Sequence, residues 1–163
     1  MGYIWKYEGS LQDGLTARSG SSQKKCDWIV YRYADVLLMK AEALSQLESY
    51  TEAYKLLMKI RERADKGEIA IVNTPGDYED KILNERKMEF AFEGKRWFDL
   101  LRMGRRNNFS NKSKLVDIIV QNIPSAQKRI LTTKLANPLG WYMPIFKEEL
   151  ERNINLVQNP YYK

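Results

Sequence analysis

The sequence predicts an all-α fold, and three observations carry that reading. Residues 80–102 keep apolar side chains at helical spacing throughout. Two earlier stretches, Ile29 to about Leu47 and Ser49 to about Ala64, each carry one clean apolar face. The stretch that alternates like a strand or an extended arm, Tyr3-Ile4-Trp5-Lys6-Tyr7, is short. At 163 residues the chain is long enough for one domain, residues 1–163, with a real core.

Residues 80–102 organise the rest. Wound at about 100° per residue, Leu83, Phe90, Trp97 and Leu101 share one side, widened by Ala91, Gly94 and Phe98. Ile82, Phe92 and Leu100 fall almost opposite, and only Asn84, Lys95 and Arg102 form a polar strip. A helix apolar nearly all round is a buried one, so the pattern predicts a single long central helix with Trp97 in the core. Asp77 is expected to cap it, and Gly104, suited to a left-handed residue, to end it. Glu85, Glu89, Glu93, Arg86 and Arg96 crowd one arc between the apolar sectors. An isolated buried charge is too costly, so these groups must be tied to each other and to other segments.

The remaining elements follow in order. Residues 8–25 are rich in Gly, Ser and charge and read as a loop. Val30, Ala34, Leu37, Leu38, Ala41 and Leu44 form the face of the first helix. Ser49 and Glu52 have the spacing of a capping box at the start of the second, whose face is Ala53, Leu56, Leu57, Ile60 and Ala64. The connection is a few residues, which makes the two helices antiparallel neighbours. Leu37, Ala41, Leu44, Ala53, Leu57 and Ile60 fit the tetratricopeptide pattern, with small Ala41 and Ala53 permitting close approach; a generic helical hairpin fits this one unit as well. Either way one hairpin cannot bury its own face, and the central helix is its first partner.

Gly67 to Gly76 is a linker ending in the turn signal Asn73-Thr74-Pro75-Gly76-Asp77. Leu115 to Val120 reads as a helical turn or two, with Ser113 as a possible cap. Gln127–Leu135 reads as an exposed helix, Asn137-Pro138-Leu139-Gly140 as a turn and Lys147 to Arg152 as a short helix, with an extended tail beyond.

Composition removes several functions. There is no histidine, so His-based metal sites, Ser-His or Cys-His catalysis and a histidine pH switch are excluded. The single cysteine, Cys26, allows no internal disulfide; Gln23-Lys24-Lys25 before it is no apolar leader. No apolar run approaches membrane-spanning length. The net charge of +6 is concentrated between Arg102 and Gly140, where Arg102, Arg105, Arg106, Lys112, Lys114, Lys128, Arg129 and Lys134 face one acid, Asp117. Without an accompanying nucleic-acid motif the stretch reads as solvated, and no nucleic-acid partner is expected.

Glu85, Glu89 and Glu93, one helical turn apart, are candidates for acid–base work or a di-metal centre. With arginines on the same arc and no histidine, a structural ion network fits better. No catalytic, metal or cofactor-binding residue is assigned. Trp141-Tyr142 and Tyr3, Trp5 and Tyr7 could stack on sugar rings; the commoner role of such rings is to plug a core edge and send an OH or NH to water. Their ligand-binding role stays unassigned. Asn108-Phe109-Ser110 and Asn111-Lys112-Ser113 match the N-glycosylation pattern.

Three stretches resemble the SusD/RagB family. Ile82-Leu83-Asn84-Glu85-Arg86 running into Glu89-Phe90-Ala91-Phe92-Glu93-Gly94-Lys95-Arg96-Trp97-Phe98-Asp99-Leu100 is similar to its signature helix. Arg32-Tyr33-Ala34-Asp35-Val36-Leu37-Leu38-Met39-Lys40-Ala41-Glu42-Ala43 resembles a second family helix. Pro144-Ile145, Glu149-Leu150 and Asn155-Leu156-Val157-Gln158-Asn159-Pro160-Tyr161-Tyr162 resemble its tail, with Phe146 where a second proline is common and Tyr161 where glycine is common. The resemblance implies a tetratricopeptide-like helical scaffold and a non-catalytic surface lipoprotein of the Gram-negative outer membrane. It implies capture of an oligosaccharide, or in some members a peptide, for a TonB-dependent SusC-like transporter, and no cofactor. It further implies that this chain is the C-terminal portion of a longer protein. The lipid anchor, the further repeats and most ligand-gripping residues would then lie upstream.

Overall fold

A computed structural model describes residues 29–163. The arm expected at residues 3–7, the loop at 8–25 and Cys26 lie outside the described residues. Those described form seven α-helices and two 3-10 turns with no strand among them, as the all-α reading expects. They belong to two compact units, one ending at Arg96 and one starting at Trp97.

In the first unit, α1 (Tyr33–Gln46) and α2 (Tyr50–Arg63) form the expected antiparallel hairpin. Ala41 and Ala53 are both completely buried, as close approach of the helices requires. Leu38, Leu57 and Ile60 join them, and Tyr78, Ile82 and Phe90 complete the core from the third helix and its end. Val30 precedes α1 and is exposed, and Ala64 sits past the end of α2, so neither adds to the faces predicted for them. Ser49 is the residue before α2, but its side chain makes no capping bond, and Glu52 pairs with Lys55 instead of reaching back. The reason is local: the Ser49 N–H already donates to the Leu44 carbonyl at 2.9 Å, so the donor that Glu52 would satisfy is taken.

The central helix is two helices. α3 (Pro75–Glu89) ends with Phe90 as its cap residue, and α4 (Arg96–Phe109) starts after a turn. Phe92 and Gly94 in that turn have φ of 67° and 72°. Left-handed geometry is ordinary for glycine and strained for a phenylalanine. The apolar pattern ran on because it records which positions are apolar, not whether the backbone is continuous. The break carries Phe90 into the core and leaves Phe92 and Phe98 exposed. Trp97 is half-buried rather than a core residue.

Thr74, not Asp77, caps α3. Its Oγ1 accepts from the Asp77 N–H at 3.1 Å, and its hydroxyl donates to the Asp77 carboxylate at 2.6 Å. Pro75 fills the first helical position, where a missing N–H does no harm.

In the second unit, Gly104 is buried inside α4 and does not end it. The helical path breaks instead near the end of α4, at Arg106, whose ψ is 146°, and at Asn107 and Asn108, with φ of 48° and 53°, a conformation asparagine tolerates. Gly104 is needed for proximity: a Cβ there would lie 2.6 Å from Leu115 Cδ1 and 3.2 Å from the Trp141 ring. α5 (Lys112–Val120) follows Asn111, so Ser113 lies inside the helix rather than before it. α6 (Ser125–Leu135) is exposed over most of its length, as expected. The predicted turn is a 3-10 turn, Pro138–Trp141, and α7 occupies Lys147–Arg152, the predicted range.

The core of this unit is Leu100, Met103, Leu115, Val120 and Trp141. Trp141 donates its indole N–H to the Leu135 carbonyl at 2.8 Å and meets Phe109 edge-on at 5.6 Å. The tail is clamped to the preceding loop. The Gln158 amide accepts from the Ile145 N–H and donates to the Ile145 carbonyl, both at 2.9 Å. Asn159 donates to the Leu139 carbonyl at 2.8 Å, and the Tyr161 ring lies so close to Gly140 that a Cβ there would be 2.9 Å from it.

Candidate functional site

The carboxylates of the signature stretch meet cations from the hairpin. Glu93 is 2% exposed although it lies in a turn. It accepts from Arg32 Nε at 3.1 Å and from Arg32 Nη2 at 2.9 Å. Arg32 Nη1 donates to Glu89 at 2.6 Å, and Nη2 also reaches the Glu89 carbonyl at 2.7 Å. Arg63 joins Glu89 at 2.5 Å, and Arg61 donates to Glu85 at 2.7 Å. Arg86 points to α1, where it donates to Asp35 at 2.8 Å, and Lys95 pairs with the other Asp35 oxygen. Arg96 donates to the Leu83 carbonyl at 2.9 Å.

Phe90 underlies this cluster. The Arg32, Arg86 and Lys95 cations lie 4.9, 4.8 and 4.9 Å from its ring centre. A ring face carries negative electrostatic character, so it holds three cations that would otherwise repel one another. Burial pushes the Glu89 carboxyl up, but hydrogen bonds from Arg63 and Arg32 and their charges outweigh it and hold the group below its ordinary value. Burial acts against the Arg32 charge too, and bonds to Glu93 and Glu89 overcome it, raising that group.

The network expected from the sequence is therefore present, with a wider membership. Sequence reasoning named Glu85, Glu89, Glu93, Arg86 and Arg96. It missed Arg32, Asp35, Arg61, Arg63 and Lys95. One signal was available: Asp35 is an acid flanking the apolar face of α1, and a carboxylate at a core edge demands a partner. Among the described residues no group of three or more acids or cysteines is placed to hold a metal ion. Trp141 and Tyr142 do not form an open stacking pair, because Trp141 is buried and only Tyr142 reaches the surface, under Arg105 at 5.7 Å.

A cavity of about 350 Å³ opens beside the network, between the start of α1 and the end of α2. Arg32 and Arg63, both bound to Glu89, stand at its rim with Lys59.

The family described as the SusD family matches residues 3–162 of the chain. SusD-like protein P2 of Formosa agariphila is 31% identical over 154 residues, 90% of this chain and 28% of that protein. SusD-like protein P38 of the same organism is 42% identical over 85 residues, 47% of this chain and 17% of that protein. SusD-like protein P25 is 39% identical over 80 residues, 47% of this chain and 15% of that protein. The chain thus spans less than a third of the length of the relatives it matches. No solved structure matches it. With the family matched from residue 3 to residue 162 over an all-α scaffold whose signature residues build one ion network, this chain belongs to the SusD family as a SusD/RagB-like protein.

Proposed function

We propose that this chain is the C-terminal portion of a non-catalytic nutrient-binding protein on the surface of the Gram-negative outer membrane. That protein captures a glycan and passes it to a TonB-dependent SusC-like transporter. Family membership across nearly the whole chain is the observation that supports the reading. The electrostatics fit it. Asp35, Glu85, Glu89 and Glu93 each have oxygens committed to arginine or lysine, whereas a general acid or base must offer its proton site to a substrate. No helix among the described residues is long and apolar enough to cross a membrane, and attachment through a lipid anchor upstream is consistent with that. In this reading the chain is chiefly scaffold, and most of the ligand grip lies upstream.

The test is calorimetry of this chain and of the complete gene product against one panel of oligosaccharides and peptides. Micromolar glycan affinity is expected of the complete protein alone, with this chain near millimolar, about 4 kcal/mol. Co-purification of a TonB-dependent transporter with the complete protein is the expected partner result. A complete protein that binds only peptides moves the ligand class; one that binds neither ligand nor transporter overturns the proposal.

A further inference from the structure

We infer that the cavity at the open end of the α1–α2 hairpin is a subsite for an acidic sugar unit, a residue bearing a carboxylate or a sulfate ester. The inference rests on the glycan-capture reading and adds the charge of the ligand and a place for it.

The volume of about 350 Å³ lies in the range of small-ligand sites and is enough for a sugar unit or two. Ala34, Leu37 and Ile60 make an apolar floor. Tyr33 forms a wall and is 65% exposed, a flat ring offering a face on which sugar C–H groups can stack. The Lys59 ammonium lies 5.7 Å from the centre of that ring. Ring and cation together match a ligand with an apolar face and an anionic substituent.

Charge selects the acidic form. Three cations, Arg32, Lys59 and Arg63, stand at the rim, and the carboxylates beside them, Glu89 and Glu93, are bound by Arg32 and Arg63. Lys59 has no ion pair among the described residues, so one positive charge is left over. A neutral sugar leaves that charge as it was; a uronate or a sulfate neutralises it. The rim is also rigid where it counts. Arg32 is fixed by its bonds to Glu93 and Glu89, so ligand binding need not order it.

The experiment is an NMR titration of the isotope-labelled 163-residue chain with four probes: digalacturonate, a sulfated galactose disaccharide, neutral digalactose, and sodium acetate or sulfate alone. Amide shifts should centre on Tyr33 and Lys59. Acidic disaccharides should bind about three- to tenfold more tightly than the neutral one, and added salt should erode the preference. Lys59→Gln should remove the preference while helix content by circular dichroism is unchanged, and Tyr33→Ala should weaken every saccharide. Equal binding of acidic and neutral probes overturns the inference, as does a Lys59→Gln protein that keeps the preference. So do bare acetate or sulfate binding as tightly as the disaccharides, and shifts confined to other residues. If this chain shows no such shifts while the complete protein binds neutral glycans, the subsite is refuted and the glycan-capture reading stands. If the complete protein binds no glycan at all, that reading fails as well.

Discussion

Replacing Glu93 with alanine removes the hub of the ion network. Its side chain is fully shielded from solvent and holds Arg32 through both oxygens, with Lys95 3.8 Å away. Taking one partner from a buried pair costs about 3–5 kcal/mol, because the remaining charge is left buried. Here the cations are only partly orphaned. Arg32 keeps Glu89 and has a quarter of its side chain exposed, and Lys95 keeps Asp35. The lower end, about 3 kcal/mol, is therefore expected. With a urea m-value of about 2 kcal/mol per molar, the midpoint followed by circular dichroism should fall by about 1.5 M. Glu149→Ala is the control: its partner Arg152 is 71% exposed, and the loss should stay below about 0.5 kcal/mol. A Glu93→Ala loss under about 1 kcal/mol would refute the idea that the network is a buried, mutually dependent unit.

Other outcomes can be stated briefly. Glu89 is held below its ordinary value of 4.5, so its contribution is full above that pH and is lost as pH falls through the lower folded-state value. Acid titration of Glu89→Gln should accordingly show a shallower loss of stability below about pH 4.5 than the parent. Gly104→Ala should destabilise by about 1–2 kcal/mol despite alanine's better helix propensity, because Leu115 and Trp141 are too buried to give way; a stabilised variant would contradict the packing. Trp141→Ala should cost about 3–5 kcal/mol in thermal or urea unfolding, as core loss does; unchanged stability would return Trp141 to the list of surface rings. Asn159→Ala should accelerate hydrogen exchange around Leu139 and Tyr142, and unchanged protection there would show that the tail clamp is not held by this amide.

The sequence made much of this legible, and the misses have a common cause. Helix faces in α1 and α2, the exposed α6 and the bounds of α7 were readable because apolar spacing and helix breakers agree there. The need to pair Glu85, Glu89 and Glu93 was readable because charges between apolar sectors have nowhere else to go. Their partners were not, since Arg32, Arg61 and Arg63 look like surface residues until the hairpin is folded against α3. The break at Phe90–Lys95 was hidden for a different reason. Phe92 adopts a conformation its own side chain disfavours, and only the surrounding contacts of Phe90 and Glu93 make it worthwhile. Ser49 does precede α2, but its capping box does not close because the Leu44 carbonyl already takes the Ser49 N–H, whereas the cap of α3 is Thr74 rather than Asp77, whose N–H Thr74 accepts.

The separation of the network's members along the chain has a kinetic consequence. The hairpin closes over a few residues, but Arg32 and Glu93 are 61 positions apart, and Arg86 and Asp35 are 51 apart. Contacts that close such long loops meet their entropic cost before they return any stability, so local helix pairing precedes them. The ion network then belongs to the last stage of assembly, a fastening set after the hairpin and α3 have docked. Stability gained so late slows unfolding and leaves folding nearly untouched. In stopped-flow chevrons Glu93→Ala should raise the unfolding limb and spare the refolding limb. Slowed refolding would instead place the network in the nucleus. A fastening of this kind governs how long the scaffold stays closed rather than how quickly it forms.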